Sequence, residues 1–278
     1  MAETRPTTHR YRPPATAVAV PRTSAEVHPA RNPGMPLELD WVREARINRS
    51  AVERRAETLP KRRTVKKEWQ LGWMLRAVTL MDLTTLQGDD TDERVRRLCA
   101  KARRPIRGDL LAGLGFAERP VTVAAVCVYH HFVATAVAAL HGSGIPVAAV
   151  STGFPAGLNP LPQKIAEIEA SVAAGAKEID IVITRSHVLR ADWRALYDEV
   201  RAFRDACGAA HLKTILATGE LGTLRDVHRA SLVCMMAGAD FIKTSTGKET
   251  VNATLPVGLV MARAIRADRK STRLNSSH

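Results

Sequence analysis

Aromatic side chains are scarce. Phe, Trp and Tyr make up 4% of the 278 residues. A chain this poor in them has no means of interleaving stacking rings with cations, so its formal charge of +13 does not point to a nucleic-acid surface. Cysteine is rare as well. Cys99, Cys127, Cys207 and Cys234 are scattered without metal-type pairing and read as reduced thiols of a cytoplasmic protein. No apolar run reaches the length of a membrane span, and the N-terminus lacks the apolar core of a secretory signal. No Gly-x-Gly-x-x-Gly follows a strand, which weighs against a dinucleotide site.

Hydrophobic residues are plentiful at 45%, mostly Ala, Val, Leu and Ile, which suits parallel strands covered by helices. Residues 1–36 hold Pro6, Pro13, Pro14, Pro21, Pro29, Pro33 and Pro36 among Thr, Ala and Arg. That composition cannot bury a core and predicts a disordered tail. Helical spacing follows up to about Arg76, and then a repeat begins. Strands are expected at 78–82, 121–128, 147–150, 178–183, 212–216 and 239–243. Helices are expected at 92–103, 132–141, 164–174, 193–207, 224–237 and 255–266. Strands alternating with helices in this way predict a parallel sheet with right-handed crossovers.

Such a sheet is either doubly wound or part of a (β/α)8 barrel. Charged residues inside the strands decide. Alternation puts Glu178 and Asp180 on one face and Ile179 and Ile181 on the other. An open sheet would strand Asp82, Asp180, Lys213 and Lys243 beneath helices, whereas a barrel gathers them on its axis. The barrel is therefore predicted, with its site at the carboxyl ends of the strands. Lys243 lies where the last strand gives out into Thr244-Ser245-Thr246-Gly247-Lys248. It is either a strand-end lysine reaching solvent or a Schiff-base nucleophile, and the second role needs its pKa to fall by roughly 3 units, helped by burial and a second cation.

Several strings together closely resemble the class I 2-deoxyribose-5-phosphate aldolases. They are Leu80-Met81-Asp82-Leu83-Thr84-Thr85-Leu86, Gly153-Phe154-Pro155-Ala156-Gly157, Glu178-Ile179-Asp180-Ile181-Val182, Thr218-Gly219-Glu220-Leu221 and Asp240 to Lys248. The resemblance implies a TIM-type (β/α)8 fold and reversible cleavage of 2-deoxy-D-ribose 5-phosphate to acetaldehyde and D-glyceraldehyde 3-phosphate. It implies no metal and no organic cofactor. Lys243 falls on the Schiff-base lysine and Asp180 on the proton-transfer aspartate. Lys213 either lends positive potential to Lys243 or pairs with Asp180. Asp82, Thr84 and Cys127 are expected to line the pocket, and Thr246, Gly247 and Lys248 to meet a substrate oxygen or phosphate. Substrates are the expected partners, beside a possible homo-oligomer.

The chain departs from that family at two places. His130 and His131 follow Tyr129 where proline is usual. Beyond the sixth helix, a strand ending Gly-Phe-Lys-Pro-Ala-Gly-Gly and a glycine-serine phosphate loop are both missing. The aldolase-like domain is therefore expected to span 37–267 with about six βα units, followed by a non-native, adapter-like tail at 268–278. Such an arc is expected to be poorly soluble or inactive. Two other readings stay open: a different Schiff-base sugar-phosphate aldolase or transaldolase, and an inactive fragment with a basic anion-binding tail.

Overall fold

The computed structural model describes residues 31–275 except 63, 119 and 120, with side chains from 269 onward excluded. Three helices lead in: α1 (Leu39–Glu44), α2 (Arg49–Thr58) and α3 (Lys67–Val78). The strands are β1 (Asp82–Thr84), β2 (Ala125–Tyr129), β3 (Val147–Ser151), β4 (Glu178–Val182), β5 (His211–Ile215) and β6 (Phe241–Lys243). Between and after them run α4 (Asp92–Arg103), α5 (Gly108–Gly113), α6 (Val133–Leu140), α7 (Leu161–Ala173), α8 (Arg185–Leu189), α9 (Trp193–Ala206), α10 (Leu224–Met236) and α11 (Leu255–Asn275). All six strands pair in parallel, in chain order from β1 to β6.

The sheet curls into a half-barrel, and one contact requires it. Flat, β1 and β5 would lie about 19 Å apart at ordinary strand spacing. Yet Lys213 Nζ on β5 is 2.5 Å from Asp82 Oδ2 on β1. The outer face carries Val126, Val128, Val147, Ala149, Ile179, Ile181 and Leu212 into one continuous core beneath the helices. The inner face holds a small cluster of Leu86, Cys127, Ala148 and Val150 beside the charged residues. Alternation along each strand thus produces one dry layer and one mixed layer.

Several boundaries differ from expectation. The first strand begins at Asp82, because Leu71, Leu75 and Val78 recur at helical spacing and pack on Leu111 and Val121, while Leu80 and Met81 stay exposed. Val121 therefore belongs to that helical cluster, and β2 starts only at Ala125. The expected tail of 1–36 is too long, since residues 31–35 dock on the body. Asn32 Nδ2 donates to Met235 O at 2.8 Å and to Ala239 O at 3.0 Å. The Met35 amide donates to Met236 O at 2.7 Å. Gly34 adopts φ +72°, and an added Cβ would lie 2.7 Å from that same carbonyl. The rest of the expected tail, 1–30, lies outside the described residues. At the other end α11 continues to Asn275, since no proline or glycine after Gly258 interrupts it.

Candidate active site

The inner face gathers five charged side chains from four strands. Lys213 Nζ lies 2.5 Å from Asp82 Oδ2, 2.5 Å from Glu178 Oε2 and 3.5 Å from Asp180 Oδ1. Lys243 Nζ donates to Asp180 Oδ2 at 2.6 Å. Asp180 is wholly buried and takes one ammonium on each oxygen, whereas the Lys243 side chain keeps 33% of its exposure. The nucleophile candidate is therefore held from below by a buried carboxylate and remains open above. Strand register supports this arrangement: Asp180 pairs with Lys213, and Lys243 pairs with Ile215, two residues further up the inner face.

At rest the Lys243 pKa is shifted upward, the reverse of what attack on a carbonyl needs. Burial opposes the ammonium, but the Asp180 carboxylate outweighs it, and the net shift is upward. Lys213, the second cation present, is the smallest of the influences on it and lowers it. Lys213 itself is also shifted upward: burial resists its charge, and Asp180, Glu178 and Asp82 overcome that. Three carboxylates against two ammoniums leave the cluster one negative charge in excess, which keeps both lysines protonated at rest.

Other residues singled out from the sequence fall around this centre. Cys127 is fully buried, and desolvation pushes its thiol far above the ordinary range, so it is a neutral filler and not a nucleophile. Thr84 ends β1 exposed, its hydroxyl donating to Asp82 O at 3.0 Å. Thr246, Gly247 and Lys248 lie on the loop past β6. The Lys248 amide donates to Thr246 Oγ1 at 3.0 Å, and Gly247 turns the chain at φ +85°. Lys248 is exposed, and its ammonium has no ion-pair partner among the described residues. Glu178 completes the cluster and was legible as the same-face neighbour of Asp180. Arg185 and Glu249, which join the surrounding loops, were not singled out from the sequence, and Glu220 entered only within the string Thr218-Gly219-Glu220-Leu221.

Residues 76–270 match the DeoC family, described as DeoC/LacD family aldolase. The chain belongs to this family. It is 60% identical over 239 residues to the deoxyribose-phosphate aldolase of Homo sapiens, covering 85% of this chain and 75% of that protein. A putative deoxyribose-phosphate aldolase from Coccidioides immitis shares the fold with TM-score 0.61 at 23% identity, over 80% of this chain and 82% of that one. The deoxyribose phosphate aldolase of Aeropyrum pernix, described as having a unique tetrameric structure, aligns at TM-score 0.54 and 24% identity, over 69% of this chain and 74% of that one. Within a DeoC/LacD aldolase, an inner-face lysine above a buried aspartate stands where carbonyl chemistry at the strand ends is feasible.

Proposed function

We propose that this chain is a class I deoxyribose-phosphate aldolase, a lyase that reversibly cleaves 2-deoxy-D-ribose 5-phosphate to acetaldehyde and D-glyceraldehyde 3-phosphate. The observation that carries the mechanism is the 2.6 Å contact between Lys243 Nζ and Asp180 Oδ2. An ammonium cannot attack a carbonyl, and the neighbouring carboxylate is positioned to take its proton as C1 of the open-chain sugar approaches. The freed amine adds to C1, and loss of water gives the iminium. Asp180, acting through a water, then removes the proton from the C3 hydroxyl. The C2–C3 bond breaks, its electrons pass into the iminium to form an enamine, and the phosphorylated aldehyde leaves. Protonation at C2 and hydrolysis release acetaldehyde and restore Lys243.

Lys213 holds Asp180, Asp82 and Glu178 in place as their shared counter-charge. Lys248 and the Gly247 turn offer a cation and a sterically open backbone to the phosphate. Reduced buried cysteines suit the cytoplasm, and among the described residues no helix is long and apolar enough to cross a membrane. A small sugar phosphate is the substrate, nucleic acid is no partner, and assembly with further copies fits the tetrameric relative. Incubation with acetaldehyde and borohydride should fix an ethyl group on Lys243, read by peptide mass. Labelling elsewhere, with Lys243→Leu still active, defeats the assignment.

A further inference from the structure

Four of the loops at the mouth of the half-barrel converge on Arg185, which opens α8 just past β4. Its Nη1 donates to Ala156 O at 2.6 Å and its Nη2 to Pro155 O at 3.1 Å, both in the loop after β3. Its Nε lies 2.6 Å from Glu220 Oε2 in the loop after β5, an ion pair without hydrogen-bond alignment. Its Nη2 stands 4.0 Å from Glu249 Oε1 in the loop after β6. One guanidinium thus reaches the loops after β3, β5 and β6 from its own place after β4.

Glu249 passes the tie onward. It accepts the Thr246 amide on both oxygens, at 3.1 and 3.0 Å, and the Gly247 amide at 3.2 Å. The carboxylate therefore sits in the concavity of the turn that presents Lys248. Its side chain is only 2% exposed and that of Arg185 16%. Burial works against ionisation of Glu249, yet the Thr246 amide, then the Glu249 amide and the Thr246 hydroxyl, and last the charge of Arg185 hold its carboxyl below the ordinary range. Without the guanidinium the amides alone must hold a buried carboxylate whose charge is no longer opposed, and the Thr246–Lys248 turn is held less firmly.

We propose that Arg185 and Glu249 are positioning residues, a clamp that holds the Thr246–Lys248 turn against the barrel mouth and so sets affinity for the phosphate end of the substrate. The naming of that substrate rests on the aldolase reading above; the clamp itself does not. Lys243 is fixed separately, by β6 and Asp180, so carbon–nitrogen chemistry is left unchanged when the clamp opens.

The test uses the whole chain with Arg185→Ala, Arg185→Lys and Glu249→Gln. Amide hydrogen exchange should speed up about tenfold or more at Thr246 and Gly247 in Arg185→Ala, while amides of β4 and β5 keep their wild-type rates. KM for 2-deoxyribose 5-phosphate should rise about tenfold with kcat within about twofold, and KM for unphosphorylated 2-deoxyribose should stay within about twofold. Arg185→Lys restores the charge without the planar fork and should recover part of both effects. Should Arg185→Ala fail to fold, Glu249→Gln carries the same two readouts. Unchanged exchange at the two amides overturns the clamp, and an equal rise in KM for both sugars overturns its link to phosphate. A wild-type chain that forms no imine with acetaldehyde sinks the aldolase reading instead, and exchange still decides the clamp.

Discussion

An ammonium seated on a buried carboxylate makes the Lys243–Asp180 pair both a catalytic resource and an obstacle. Asp180 raises the Lys243 pKa above its ordinary 10.5, while burial and Lys213 pull it down. Removing the carboxylate charge takes away the largest raising influence and leaves burial and Lys213 opposing the ammonium. In Asp180→Asn the pH midpoint of imine formation, read by borohydride trapping, should therefore move down. Turnover should nevertheless fall roughly 10²- to 10⁴-fold, because the proton shuttle is gone. Identical trapping profiles in the two proteins would show that Asp180 does not govern this amine. The linkage to stability has a definite sign. A lysine pKa raised by folding stabilises the protein below the unfolded value, near 10.5, and that contribution disappears as pH rises through the folded value. Wild type should lose stability in urea titrations above about pH 10.5, and Asp180→Asn should lack that component. The inner-face cluster was legible beforehand because charges at alternating strand positions have to converge somewhere. The direction of the lysine shift was not, since it depends on how closely the Asp180 carboxylate approaches Lys243 Nζ, which residue spacing does not give.

Elements with a strong period matched their sequence signal most closely. The helix expected at 92–103 is found there, with Thr91 capping it through a hydrogen bond from the Arg94 amide at 3.3 Å. Short apolar runs were more ambiguous, as Leu80-Met81 shows: hydrophobic residues next to Asp82 read as strand, although Leu80 lies in a turn, Met81 precedes the strand and both are exposed. Ties between elements left no trace in the sequence. Lys164 on α7 reaches Glu199 Oε1 on α9 at 2.8 Å and Thr184 Oγ1 past β4 at 2.7 Å, with side-chain exposures of 3% and 8% for the ionic pair. Glu199 Oε2 also accepts the Thr184 amide at 2.9 Å. Two helices and a strand end are joined by one buried pair. Lys164→Met leaves the carboxylate uncompensated and should cost about 3–5 kcal/mol by urea unfolding. Lys164→Met with Glu199→Leu should be less costly than the single change, because no charge is left buried. A single-mutant loss under about 1 kcal/mol would mean that the pair does not hold α7 to α9.

At the scale of the whole sheet, among the described residues, two margins are unpaired, since β1 pairs only with β2 and β6 only with β5. Exposed apolar side chains occur in the segments that lead into β1 and in and after β6. In the chain just before β1 these are Trp69 at 49%, Trp73 at 60% and Met74 at 61% on α3, together with Leu80 at 66%. At β6 Phe241 is 42% exposed, with Val251 at 51% nearby in the chain. Unpaired backbone groups next to apolar surface form a template for another chain. The excess positive charge opposes approach of a second copy, but salt screens it over about 8–10 Å. Association should therefore strengthen as salt is raised, the opposite of what a contact made by ion pairs would do. Light scattering and sedimentation should show mass growing with protein concentration and with salt, and dye binding should report the exposed apolar surface. Trp73→Lys with Met74→Lys places two cations on that surface and should shift the distribution toward monomer, leaving the imine yield at Lys243 within about twofold of wild type. A wild-type chain that stays monomeric in high salt, and binds no more dye than the double variant, would mean that these margins are not adhesive.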